Sequence, residues 1–254
     1  LILYRGGMLE KGDRDTEFWE KRTDLSLNVL SEKLGGDISA ETILAYGIAA
    51  IRETFEEAGV FPGDLPAEKT EGLCRLRSSG KLSKGWFNTW IDLNRGPLPI
   101  SRLQRWSHWL TPENSPLRFD TRFFAAFLED GQECKPDFSE TTTGIWVSPR
   151  QGLEGNLSGD IPMGPPTLVT LQELLEFSNV EQWKKGIQKR EWGKVRMPQQ
   201  IFSDGESTIL LPWDPAYGRD EQIDLERAKS SVLPLGEPFS RLCTVKGLWK
   251  PVGV

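Results

Sequence analysis

The stretch 39–60, SAETILAYGIAAIRETFEEAGV, limits what this chain can fold into more than any other. Asp37 or Ser39 can cap a helix there, and Gly59 is placed to stop it. At roughly 100° per residue, Leu44, Ile48, Ile51 and Phe55 fall on one side of that helix. Glu53, Glu56 and Glu57 gather within roughly 100° of arc on the other side. One face therefore requires a core, while the other crowds three carboxylates. Arg52 lies one turn before Glu56 and can pair with it. Crowded carboxylates repel one another unless something positive sits between them. Hard divalent cations take such oxygens, and Mg²⁺ typically joins a few carboxylates to substrate phosphates. A solvated acidic face is the ordinary meaning of ExxEE on a helix. The set positions of Arg52, Gly59 and Val60 around it favour a site instead.

Composition narrows the remaining choices. The formal charge of -6 makes a general nucleic-acid or anionic-membrane binder a poor expectation. No apolar run approaches the ~18 residues needed to span a bilayer. The three cysteines, Cys74, Cys134 and Cys243, lie far apart with no CxxC pair. A disulfide scaffold and a cysteine zinc site are thereby excluded, and an intracellular, reducing compartment is expected. The one histidine, His108, rules out a His-rich metal site, so hydrolytic chemistry is expected to rest on carboxylates.

Along the chain, LILYRGG reads as the tail of a strand entering a Gly-Gly turn and not as a signal peptide. A fragment or processed form whose natural start lies upstream is expected. Helices are predicted at about 15–22 and 25–35, ahead of the long one at 39–58. Residues 67–110 read as mainly helical, interrupted near Ser78–Lys84 and Asn94–Pro99. Residues 118–128 read as a buried strand with aromatics at 119, 123 and 124, and 141–147 as a second strand. The Gly- and Pro-rich stretch 152–166 is expected to be a surface loop. Helices at 167–177 and 180–190 and short strands around 199–211 follow, with a turn at Asp204-Gly205. The last 35 residues carry weak signals. The mixture without regular alternation indicates α+β or an α/β sandwich.

Arg52-Glu53-Thr54-Phe55-Glu56-Glu57-Ala58-Gly59-Val60 resembles the second half of the Nudix hydrolase box, G-x5-E-x7-R-E-U-x-E-E-x-G-U, with Thr54 at an apolar position. At contiguous spacing the first half fails, since Ile38 and Leu44 stand where Gly and Glu belong. The coenzyme A diphosphatase-like branch (nucleoside diphosphate-linked moiety X motif 19 type) splits the box by an insertion. Tyr4-Arg5-Gly6-Gly7 looks like that branch's FPGG turn, with Arg5 in place of Pro. Gly7 would then be the box glycine, and Asp13 falls where the box Glu would by direct counting, without a role assigned to it. Trp106–Phe124 (WSHWLTPENSPLRFDTRFF), Ile145–Pro149 (IWVSP) and Leu211–Pro215 (LPWDP) resemble further segments of the branch, with Trp213 in place of a Gly.

The resemblance covers roughly 3–217. It implies a Nudix α/β/α sandwich with a mixed sheet, a helical insertion at about 15–37, extra C-terminal helices and truncated N-terminal strands. A Nudix domain over 1–217 and an extension over 218–254 are expected. The implied activity is metal-dependent hydrolysis of a nucleoside diphosphate derivative such as coenzyme A or an acyl-CoA, with Mg²⁺ or Mn²⁺. The alternative is a catalytically inactive Nudix-like binding or scaffold protein. By carry-over, Glu53, Glu56 and Glu57 are metal ligands or water-activating carboxylates, and Arg52 holds them in position. Gly7 would let a backbone carbonyl approach the metal. Glu140 is the candidate for an auxiliary carboxylate, with Glu129 the runner-up. Arg118 and Arg122 are candidates for substrate phosphate. His108 is expected to pack or hydrogen-bond, and Asp120 to be buried and bonded to backbone or Arg. The C-terminus lacks an SKL-like peroxisomal ending, and cytoplasm, mitochondrion and peroxisome stay open.

Overall fold

The computed structural model describes residues 2–5, 9–63, 67–80, 82–94, 96–128, 132, 144–203, 206–219, 224, 227 and 230–254. Gly7, Glu129, Cys134, Glu140, residues 141–143 and the Asp204-Gly205 turn lie outside that set. The chain divides into two compact units. The first comprises Leu1–Ser107, Thr121–Trp146 and Lys185–Gly193, and the second the remaining segments. Mixed helices and sheets give the α/β class expected. No single helix among the described residues is long and apolar enough to cross a membrane.

The first unit is built on β1 (Ile2–Arg5), α1 (Thr16–Glu20), α2 (Leu27–Leu30) with a π turn at Ser31–Gly35, α3 (Ala40–Ala58), α4 (Ala67–Ser78) and α5 (Trp86–Asn94). It is completed by β2 (Gln104–Leu110) and β3 (Asp120–Ala126), strands that continue into the second unit. The sheet order is β1–β3–β2, and β1 runs antiparallel to β3 with Ile2 opposite Ala126.

Helix α3 forms where its sequence places it. Ser39 Oγ accepts from Thr42 N at 3.2 Å. Gly59 closes the other end at φ 70°, a left-handed conformation that a Cβ would disfavour, and donates its N–H to Phe55 O. Leu44, Ile48, Ile51 and Phe55 are all buried, as their common face requires. They join Trp19, Leu30, Leu34, Phe87 and Phe124 in one core.

Several expectations are corrected. The end of the 67–110 stretch is the strand β2, not helix. Pro97 and Pro99 break the helical run before it, and Trp106 through Trp109 are buried on both faces, which erases the strand alternation. Phe119 is exposed rather than buried, because it precedes β3 and donates its N–H to Thr111 Oγ1 in the β2–β3 connection. Residues 144–147 form no strand, and Ile145 and Trp146 are exposed.

The second unit holds α6 (Pro149–Ser158), α7 (Pro165–Leu174), most of α8 (Val180–Ile187) and the strands β4 (Gln199–Ser203), β5 (Glu206–Leu210), β6 (Arg241–Val245) and β7 (Leu248–Val252). The strands form an antiparallel sheet in the order β4–β5–β6–β7. Residues 152–158 of the expected 152–166 loop thus belong to helix α6, and only 159–164 connect it to α7. Ser148 and Gln151 form a reciprocal capping box with Pro149 in the first turn. Its glycine at 155 serves packing, since a Cβ there would lie 2.6 Å from Ile161 Cγ1. The weakly patterned C-terminus supplies β6 and β7.

Candidate active site

Arg52 is the hub of the site. It is buried on α3, with only 5% of its side chain exposed. Its Nε donates to Asp13 Oδ1 at 3.1 Å and its Nη2 to Asp13 Oδ2 at 2.9 Å, a two-pronged pair between buried partners 39 positions apart in sequence. Nη1 donates to Glu56 Oε2 at 2.8 Å, and Nη2 also reaches Glu53 Oε1 at 3.4 Å. Burial alone would make the guanidinium release its proton more easily, but Asp13, then Glu56 and Glu53, reverse this and hold it charged.

Asp13 is the residue that sequence reasoning left without a role. Its signal was the count from Gly7, which put it at the box Glu position. A local frame fixes it. Asp13 Oδ2 accepts from Glu10 N at 2.8 Å, and the preceding Gly12 carbonyl accepts from Trp19 Nε1 at 2.8 Å and Asn88 Nδ2 at 3.2 Å. The Asp13 carboxylate is thereby brought onto Arg52 despite the intervening helices.

Glu53 is half-buried beside this hub. Burial, together with the carboxylates of Glu57 and Glu56, pushes its pKa up to about 7 against the downward pull of Arg52. Glu56 has both oxygens engaged, because Trp86 Nε1 donates to Oε1 at 2.5 Å. From the sequence, Gly85-Trp86 carries no chemistry that would mark it for the site. Glu57 is exposed at the helix end. Arg77 on α4 donates from Nε to Glu56 O and from Nη2 to Glu57 O, both at 2.8 Å, and so occupies carbonyls that the helix terminus leaves open.

Glu53, Glu56 and Arg52 are therefore brought together as expected, with Asp13 and Trp86 added. Among the described residues, no group of three or more His, Cys, Asp or Glu side chains is gathered closely enough to enclose an ion. The donor chemistry nonetheless fits a hard cation. Glu53 and Glu57 offer carboxylate oxygens one turn apart, the oxygen donors that such a cation takes.

The other candidates lie elsewhere. Arg122 is buried in β3, 3.6 Å from Asp37 Oδ1 and 5.1 Å from the centre of the Trp192 ring. Its Nε and Nη1 have no hydrogen-bond partner among the described residues. Arg118, in the second unit, is exposed and donates to Thr111 O at 3.4 Å. His108 is buried with its Nε2 2.6 Å from Asp120 Oδ1, which agrees with a hydrogen-bonding role. Asp120 is not the buried, backbone- or Arg-bonded residue expected. Its side chain is 49% exposed at the start of β3, and its partner is His108.

Comparison with known proteins shows the family. The profile of the family described as NUDT19 Nudix domain matches residues 21–174. The human acyl-coenzyme A diphosphatase NUDT19 is 29% identical over 79% of this chain and 60% of its own length. The chicken protein of the same name is 30% identical over 77% of this chain and 58% of its own, and the Xenopus laevis one 28% identical over 95% and 73%. The chain thus spans about three fifths of the length of the human and chicken relatives. A crystal structure of a Nudix hydrolase from Alicyclobacillus acidocaldarius superposes with a TM-score of 0.51 at 22% identity, covering 74% of this chain and 80% of that one, which shows the shared fold. With its profile matched over more than half of its length, the chain belongs to the NUDT19-type Nudix domain family.

Proposed function

We propose that this protein is a Nudix-type diphosphatase that hydrolyses the diphosphate of coenzyme A or an acyl-CoA, the substrate class named for its NUDT19 relatives. The observation that carries this reading is the Arg52 hub, which holds Asp13, Glu53 and Glu56 together at the end of α3. Without a site to serve, three carboxylates on one short arc would only repel.

Glu53, Glu56 and Glu57 would hold Mg²⁺ or Mn²⁺. When bound, such an ion neutralises phosphate charge and acidifies a water for attack at phosphorus. Arg52 makes no substrate contact, because its donors are committed to carboxylates and it is buried. Its work is to keep Glu53 and Glu56 in fixed orientations while the charge on the diphosphate changes. Glu57, exposed, faces incoming substrate. Arg122 is the stronger candidate for a phosphate contact, since it has buried donors left over, whereas Arg118 is exposed to water. Gly7 and Glu140 keep the roles implied by the resemblance.

The test is turnover of coenzyme A, an acyl-CoA and ADP-ribose with Mg²⁺ or Mn²⁺, using Glu56→Gln and Glu57→Gln as controls. Metal-dependent release of an adenine nucleotide from the CoA substrates, lost in both variants, is expected. Folded protein that binds Mn²⁺ but turns over none of the three would sink the enzyme reading and leave a binding or scaffold protein.

A further inference from the structure

Trp86 opens α5, away from the box and the other quoted motifs though within the span the family profile matches, and its side chain ends on Glu56, a carboxylate of the RExxEE half-box. Its Nε1–H donates to Glu56 Oε1 at 2.5 Å. The opposite oxygen, Oε2, accepts from Arg52 Nη1 at 2.8 Å. Glu56 is thus gripped from both sides, by a cation and by a neutral donor on a different helix. The indole itself has little freedom. It is 6% exposed, 5.7 Å from the Phe55 ring and 5.2 Å from the Phe87 ring.

A buried tryptophan N–H needs an acceptor, and a backbone carbonyl would satisfy it. Trp19 and Trp192 of the same unit do end on carbonyls, Gly12 O and Leu34 O. Trp86 differs from them in ending on a carboxylate one residue from Glu57 and one turn from Glu53. An indole N–H can only donate. It therefore cannot compete with a carboxylate for a cation, nor take the proton of an attacking water. It can fix the plane of the carboxylate and leave the second lone pair of Oε1 for another donor or an ion. Groups that orient a metal-binding side chain in this way typically change metal affinity 10–100-fold when removed.

We infer that Trp86 is a positioning residue that holds the Glu56 carboxylate in its metal-binding orientation. The inference rests on the diphosphatase reading, but the bond it invokes exists without metal or substrate. The test therefore has two arms. In the first, 15N-labelled tryptophan is followed by NMR in metal-free protein. Trp86→Phe identifies the Trp86 indole signal by its loss, and Glu56→Gln is expected to shift that signal. In the second, Mn²⁺ affinity is measured by water-proton relaxation and turnover by kcat and KM. Trp86→Phe is expected to weaken Mn²⁺ binding about tenfold and to lower kcat with KM unchanged. Phe87→Leu, which loosens the same helix but keeps the N–H, is expected to leave Mn²⁺ affinity as it was.

If Trp86→Phe does not fold, benzothienylalanine at position 86 keeps the bicyclic shape and removes only the N–H. An indole signal unmoved by Glu56→Gln would overturn the bond. A folded Trp86 variant that binds Mn²⁺ like the parent would overturn the positioning role. Parent protein that binds no Mn²⁺ would defeat the diphosphatase reading and the positioning role together, with the metal-free indole shift still reporting the bond.

Discussion

At the scale of single residues, two buried ion pairs are built alike, one in each unit. In the first unit Asp13 meets Arg52 through two hydrogen bonds. Removing one partner of a buried pair leaves an uncompensated charge and costs about 3–5 kcal/mol. Glu53 and Glu56 remain beside Arg52 in Asp13→Ala, so the lower end, about 3 kcal/mol, is the expected loss in urea unfolding. In the second unit Asp214 accepts from Arg241 Nε at 2.8 Å, Arg241 Nη2 at 3.1 Å, Ser240 Oγ at 2.6 Å and Ala216 N at 2.8 Å. Burial would raise the pKa of Asp214, but these four donors overcome it and hold the carboxyl below its ordinary value. A carboxyl whose folded pKa is depressed stabilises fully above its unfolded value, about 3.9, and that contribution disappears as pH falls through the folded value. Melting temperature is therefore expected to fall more steeply below about pH 4 in the parent than in Asp214→Asn. Equal slopes in the two proteins would show that the pair does not contribute to acid stability.

At the scale of elements, what the sequence made legible depended on whether the signal was local. Helix α3 was readable to within a residue, because its cap, its stop and its apolar period all lie inside 39–59. Arg52, Glu53 and Glu56 were readable for the same reason. The contacts that Asp13 and Trp86 make there were not, since only the folded chain brings positions 39 and 30 residues away onto that helix. Helix α6 was missed because its glycines and prolines read as breakers. In the fold, Pro149 sits in the first turn, where its missing N–H costs nothing, and the glycine at 155 admits Ile161. Strand β2 was missed because both of its faces are buried. The α6 interpretation has a direct check. Ser148→Ala removes one side of the capping box and is expected to lower stability by about 1 kcal/mol, whereas a loop at that position would be indifferent. Gly155→Ala is expected to destabilise through its clash with Ile161, although alanine is the better helix former in isolation. A stabilising Gly155→Ala would refute the close packing.

At the scale of the whole molecule, the path of the chain matters more than any boundary drawn along it. The family profile ends at 174, yet the first unit takes in Lys185–Gly193. Within that late segment Trp192 is buried in the first unit's core. Its Nε1 donates to Leu34 O at 2.7 Å and to Gly35 O at 3.2 Å, and its ring lies edge-on to Phe124 at 5.2 Å. It thus fastens the π turn that leads into α3 and the strand that carries Arg122. The second unit is likewise assembled from separate stretches, so neither unit is a continuous piece that could be cut free with its core intact. Truncating Trp192 in the full chain should therefore act on the half that bears the glutamates. Trp192→Ala is expected to cost about 3–5 kcal/mol, comparable to other buried aromatic truncations, because it removes core volume and leaves the Leu34 carbonyl without its donor. Hydrogen exchange read amide by amide checks this. Loss of protection should appear first in α2 and α3, with the β4–β7 sheet less affected. Loss confined to residues near 192, with α3 protected as in the parent, would mean that the late segment only decorates the first unit and that α3 is held by the residues before 174 alone.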